Sequence, residues 1–91
     1  MASSSKKPVF EQVYFPVRVA VFAHEGDEGS VNYSTKVTKS FRRSEDADWE
    51  NSEYLSPEDL LPAAQLLEAA YRYVQTQQQA RYQQRRAERA A

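Results

Sequence analysis

The chain has 91 residues, no cysteine, one histidine and a formal net charge of −1. That length allows one domain. Without cysteine there are no disulfides or thiolate metal sites, and a near-neutral charge argues against a protein that coats polyanions by bulk positive charge. The charge is nonetheless uneven. Acids gather at Glu25–Glu28 and Glu45–Glu53, while Lys36, Lys39, Arg42 and Arg43 share one stretch and Arg81, Arg85, Arg86 and Arg89 crowd the end.

Residues 1–8 read as a disordered leader, small and polar and closed by Pro8. Lys6 and Lys7 precede no long apolar run, so no secretory signal is expected. Runs such as Val19–Ala23 are too short to span a bilayer. A cytoplasmic protein without a membrane partner is the expectation, and Asn32-Tyr33-Ser34 is then a chance match to the glycosylation pattern. The packing unit is residues 9–74. A domain that small buries only about 60% of the surface of its unfolded chain, which makes a partner subunit the usual remedy.

Within that unit, Val9–Tyr14 reads as a short first strand, with Pro16 at a break or edge. Val17–His24 alternates Val17, Val19, Val21 and Ala23 against Arg18, Ala20, Phe22 and His24, the period of a strand. The polar stretch Glu25–Ser30 is a turn in which Gly26 and Gly29 can supply positive φ. Val31–Arg43 is a third strand. Val31, Tyr33, Val37 and Phe41 alternate there with Asn32, Ser34, Lys36, Thr38, Ser40 and Arg42, so one face is buried and the other wet. Lys39 and Arg43 fall on the apolar parity, where the strand is expected to outrun the sheet. Trp49–Leu55 makes a fourth strand, with Trp49 and Leu55 toward the core and Tyr54 on the wet face.

Ser56-Pro57-Glu58-Asp59 then carries the marks of a helix start: a hydroxyl N-cap, proline at the first position, and acids in the first turn. Leu60, Ala64, Leu67, Tyr71 and Val74, with Leu61 beside them, recur at helical spacing and predict the buried stripe. Glu68 and Arg72 are placed for an i,i+4 pair. Pro62 is tolerable within the first turns. Residues 75–91 form a Gln/Arg-rich tail with strong helix propensity but only Tyr82 as a large apolar contact, either an exposed helix extension or frayed. The fold class is therefore α+β: a four-stranded antiparallel sheet with one C-terminal helix packed on one face, in the order ββββα.

Nothing in the sequence assembles a catalytic set. Asp27 and Glu28 are adjacent in a turn, without the burial that tunes an acid/base pair, and His24 has no sequence-local partner. Glu25, Asp27 and Glu28 do not follow the calcium-loop pattern. No enzyme activity, cofactor, metal or small-molecule substrate is expected. The wet sheet face is the candidate binding surface. Arg18, Phe22, Lys36, Arg42 and Tyr54 combine cations with rings, which suits single-stranded DNA or RNA: bases stack on the rings while Arg and Lys follow the phosphates. The rival use of the same face is a protein–protein or dimer contact. The Arg81/Arg85/Arg89 series lies on one helical face, where like charges repel unless an anion is present. Cations near a helix C-terminus are equally favoured by its dipole.

The ββββα order, the cations of the second and third strands, and the Tyr54-Leu55-Ser56-Pro57-Glu58-Asp59 helix start resemble the positive-cofactor-four-like transcriptional coactivators and, more distantly, the Whirly proteins. The resemblance covers about residues 16–74. It implies a homodimer that binds single-stranded DNA through its sheets, in transcription or genome maintenance, with Arg18, Lys36 and Arg42 as cations and Phe22 and Tyr54 as stacking rings. Where that family approaches the helix through a Lys-Gly-Ile-x-Leu-like segment, this chain has Asn51-Ser52-Glu53-Tyr54-Leu55, acidic and without glycine. Arg18, Ala20, Phe22, Tyr33, Trp49, Asp59 and Leu60 also give a likeness to small bacterial proteins of no known activity.

Overall fold

In a computed structural model, residues 7–90 are described, with the side chain of Ala90 excepted. The expected leader therefore lies, but for Lys7 and Pro8, outside the described residues. The chain forms β1 (Phe10–Tyr14), β2 (Val17–Glu25), β3 (Val31–Phe41), β4 (Glu50–Ser52) and α1 (Leu60–Ala90). The strands make one antiparallel sheet in sequence order, and α1 covers one face, the ββββα arrangement expected.

The hairpin between β1 and β2 turns on Phe15 and Pro16, whose peptide bond is cis. The next turn uses its glycines differently from the expectation. Gly29 takes positive φ (+77°), but the residue before it that does so is Glu28 (58°), not Gly26. Gly26 serves close approach instead: a Cβ there would lie 2.5 Å from Ser30 Oγ.

Residues opposite each other in a sheet share a face. Val19 stands opposite Gln12 and Val37, and Val21 opposite Phe10 and Thr35. This row faces α1. Val17, Val19 and Val21 form the floor of the core, and Ala63, Leu66 and Ala70 press onto it from the helix. Phe10 stacks on Tyr73 at 5.2 Å between ring centroids, and Val74 packs at the margin.

The buried stripe of α1 is thus not the one expected. Leu60, Leu61, Leu67 and Tyr71 are exposed, as is Ala64, while Ala63, Leu66 and Ala70 are buried. Both stripes repeat at helical spacing, so periodicity alone cannot choose between them. Size can: with alanines at two of the three buried positions the helix approaches the valine floor closely, which leucine and tyrosine there would prevent.

The expected fourth strand, Trp49–Leu55, shrinks to Glu50–Ser52. Conversely, Lys39 does not outrun the sheet, since it pairs with Ser52 of β4. It also reaches the helix start. Its Nζ lies 2.6 Å from Asp59 Oδ2 and donates to Ser56 Oγ at 3.0 Å. Asp59 in turn accepts the Ser56 N–H at 2.9 Å, the arrangement of a capping box. Pro57–Asp59 is one 3-10 turn that leads into α1. The Glu68–Arg72 pair forms at 3.1 Å, and the helix continues unbroken through residues 75–90.

Candidate functional site: the open face of the sheet

The face away from α1 carries every second residue of each strand. From β2 these are Arg18, Ala20, Phe22 and His24; from β3, Asn32, Ser34, Lys36, Thr38 and Ser40. Lys36 is opposite Ala20, between the neighbouring Arg18 and Phe22 on β2. Three of the expected site residues therefore meet in one patch. Ala20 is fully buried although it lies on this open side. Its cross-strand neighbours are Lys36 and Glu11, and its same-face neighbours along β2 are Arg18 and Phe22, whose long side chains shelter it.

The electrostatics of the patch are mixed. The Arg18 guanidinium pairs with the Glu11 carboxylate on the adjacent strand, so part of its charge is already answered. Lys36 is exposed and makes no ion pair among the described residues. His24 Nε2 is 2.8 Å from Ser34 Oγ.

Arg42 lies just past the end of β3. It donates to the Glu45 carbonyl oxygen at 3.1 Å, and its guanidinium sits over the Trp49 ring, 4.7 Å from the centroid. Trp49 is therefore not on the core side as expected. It precedes Glu50, the partner of Phe41, which gives it the parity of Arg42 and the open face. Phe15, from the β1–β2 turn, meets Trp49 edge-on at 5.5 Å. With Phe15 70% and Trp49 54% exposed, the two rings form an aromatic ledge capped by a cation.

Tyr54 is not part of this surface strand. It lies beyond β4 in the connection to the helix, 88% exposed, its N–H donating to Ser52 Oγ. Phe15 lies in a turn, where alternation gives no parity to read, and Trp49 takes the wrong face when a strand is drawn from Trp49 to Leu55 instead of Glu50 to Ser52. The signal available was the register itself: once Phe41 pairs with Glu50, Arg42 and Trp49 fall together.

The arginines of the helix end have acids for neighbours. Arg85 and Arg89 share a surface depression with Asp27, Glu28 and Glu88, and Arg81 lines another with Glu25 and Tyr33. The acidic β2–β3 turn thus borders the like-charged series, although no ion pair joins the two among the described residues.

Among the described residues no group of three or more His, Asp or Glu side chains is gathered for a metal ion, and no helix is long and apolar enough to cross a membrane. The architecture is a two-layer α+β sheet–helix module whose open face carries a ring–cation ledge. Compared with known proteins, the chain matches no family model, no curated protein and no solved structure.

Proposed function

We propose that the protein is a non-catalytic, homodimeric module that binds single-stranded DNA or RNA through the open face of its sheet. The observation that carries this reading is the Phe15–Trp49 ledge beneath Arg42, continued along the face by Arg18, Phe22 and Lys36. Exposed rings accept bases of any identity by stacking, and interleaved cations track the phosphates. The likeness to the positive-cofactor-four-like coactivators supports the same use, and a role in transcription or genome maintenance would follow from it.

Affinity would be modest. With Arg18 shared with Glu11 and Arg42 held over Trp49, Lys36 is the one cation of this face without an ion pair or ring contact among the described residues. Two or three phosphate contacts on a single strand give a log–log salt slope of about −1.4 to −2.1.

Trp49 is the sole tryptophan, so its fluorescence reports on the ledge directly. The test is a titration with unlabelled oligo-dT at low and high salt. Quenching that weakens with salt at about that slope supports the reading. No quenching at low salt, or quenching indifferent to salt, sinks it.

The Glu11–Arg18 pair favours a second reading, a protein-interaction module without a nucleic-acid role, since a face that neutralises its own cation is less suited to phosphate. Replacing Lys36 and Arg42 with glutamate separates the two. Loss of oligonucleotide binding with dimerisation intact favours the first, and loss of dimerisation favours the second.

A further inference from the structure

β4 pairs with β3 only at Lys39, Ser40 and Phe41, which leaves the outer edge of β3 from Val31 to Thr38 without a neighbouring strand among the described residues. Two hydrogen bonds at the ends of the β2–β3 ladder, Gly26 N–H to Ser30 O and Ser40 N–H to Pro16 O, show that even-numbered residues of β3 point their backbone groups toward β2. By the alternation of an antiparallel strand, Val31, Tyr33, Thr35 and Val37 point theirs outward. Beside this edge, Leu67, Tyr71 and Val74 of α1 overhang a groove of about 240 Å³ that Tyr33 and Thr35 also line.

An edge this long is a template for another strand unless it is blunted, and proteins commonly blunt theirs with lysine, proline or a bulge. Here the four outward-facing positions are Val, Tyr, Thr and Val, and Lys36 points its side chain to the open face. The surface supply agrees. The chain exposes 7256 Å², against about 5,400 Å² for a compact monomer of its mass. The projecting end of α1 contributes to that excess of about 1,800 Å², and a standard interface takes only about 800 Å² per partner.

We infer that the occupant of this edge is a second copy of the chain, with its β3 running antiparallel to the first about a two-fold axis at Ser34. Other registers conflict with the molecule. An axis at Thr35 sets Val31 opposite Lys39 of the second copy, where Ser52 of that copy already lies. An axis at Lys36 sets two lysines face to face, and one at Tyr33 leaves Val37 without a partner. At Ser34, Val31 meets Val37 of the second copy, Tyr33 meets Thr35, and Lys36 meets Asn32. All four outward residues of each copy are then satisfied, in about eight inter-chain hydrogen bonds. Leu67 and Tyr71 cover the joined edge from the helix side. The result is a continuous eight-stranded sheet with both open faces on the same side.

This names the surface of the homodimer in the reading above, but it stands on the edge alone, whatever the open face binds. The test is sedimentation of the full chain without nucleic acid, from about 1 to about 100 µM, a range in which mass action exposes a dimer equilibrium. The expected mass is twice the 10.5 kDa of the chain. Thr35→Pro removes an outward donor while sparing the β2–β3 ladder, because its N–H points away from β2. Thr35→Lys places a charge in the apolar groove under Leu67 and Tyr71, where Tyr33 of the second copy would pack, without altering the backbone. Both variants should sediment as monomers over the same range, with the circular dichroism of the fold retained in at least the lysine variant. A wild-type chain that stays monomeric overturns the inference, as does a dimer that survives both substitutions. Oligonucleotide binding, read separately by Trp49 fluorescence, keeps failure of the dimer distinct from failure of the nucleic-acid reading.

Discussion

Lys39 Nζ lies 2.6 Å from Asp59 Oδ2, and this contact fixes the rotation of the helix over the sheet. Asp59, Ala63, Leu66 and Ala70 follow one another at helical spacing, so the ion pair and the buried stripe occupy the same side of the helix. Holding Asp59 against β3 turns Leu66 into the core and leaves Leu67 outside.

The Lys39 ammonium, the Ser56 N–H and the charge of Lys39 together hold the Asp59 carboxyl below its ordinary value of 3.8, against the opposing effect of desolvation. A carboxylate depressed in the folded state stabilises the fold at pH values above its unfolded pKa. That contribution disappears as pH falls through the lower folded value. Thermal unfolding between about pH 7 and about pH 3 should therefore show a midpoint that declines on the acid side. Asp59→Asn should lower the midpoint near neutrality by several degrees and flatten the acid decline. An unchanged acid limb in that variant would remove Asp59 from the account.

The rotation itself is testable with a pair of leucines. Leu66 is fully buried and Leu61 is 68% exposed. Leu66→Ala should cost about 2–5 kcal/mol, through lost transfer and the cavity left behind. Leu61→Ala should stay within about 1 kcal/mol. Urea unfolding at a fixed chain concentration measures both. The reverse order would restore the stripe that the sequence suggested.

On the open face, Trp49→Ala should weaken oligo-dT binding by the loss of one stacked base. At about 1–3 kcal/mol that is roughly a five- to 150-fold change. Since Trp49 reports the wild-type titration, the variant is best followed by anisotropy of a labelled oligonucleotide. Binding that is indifferent to this substitution would displace the ledge from the proposed interface.

Glu11→Gln offers a gain-of-function test. It releases Arg18 from its neighbour while leaving the strand pairing in place. If phosphates follow this face, affinity should rise several-fold at low salt and the salt slope should steepen by about 0.7 for one further contact. Stability should change by less than about 1 kcal/mol, as is usual for exposed pairs. Weaker or unchanged binding would mean that Arg18 is not a phosphate contact.

The strands β2 and β3, the acidic turn between them and the start of the helix were all legible in the amino-acid order. Val17, Val19 and Val21 recur at every second position, Asn32, Ser34, Lys36 and Thr38 do the same on β3, and Ser56-Pro57 carries its own capping chemistry, so each signal lies within a few residues of what it specifies. The short β4 was overextended. Nothing local distinguishes Glu50–Ser52 from its flanks, and the pairing stops at Ser52 although β3 continues, because the chain leaves that edge there for the helix start.

The sequence by itself determined that this is a small ββββα module with one wet sheet face, because alternation and capping act over short distances along the chain. Only the tertiary structure decided which side of the helix is buried, that Trp49 joins Phe15 and Arg42 on the open face, that Glu11 answers Arg18, and that most of the β3 edge is unpaired among the described residues. Each of those rests on cross-strand register and on the Lys39–Asp59 contact, which join residues far apart in the chain. Periodicity carries no record of such pairings: two helix stripes repeat alike, and the fit of small alanines against a valine floor, together with the Lys39–Asp59 contact, separates them.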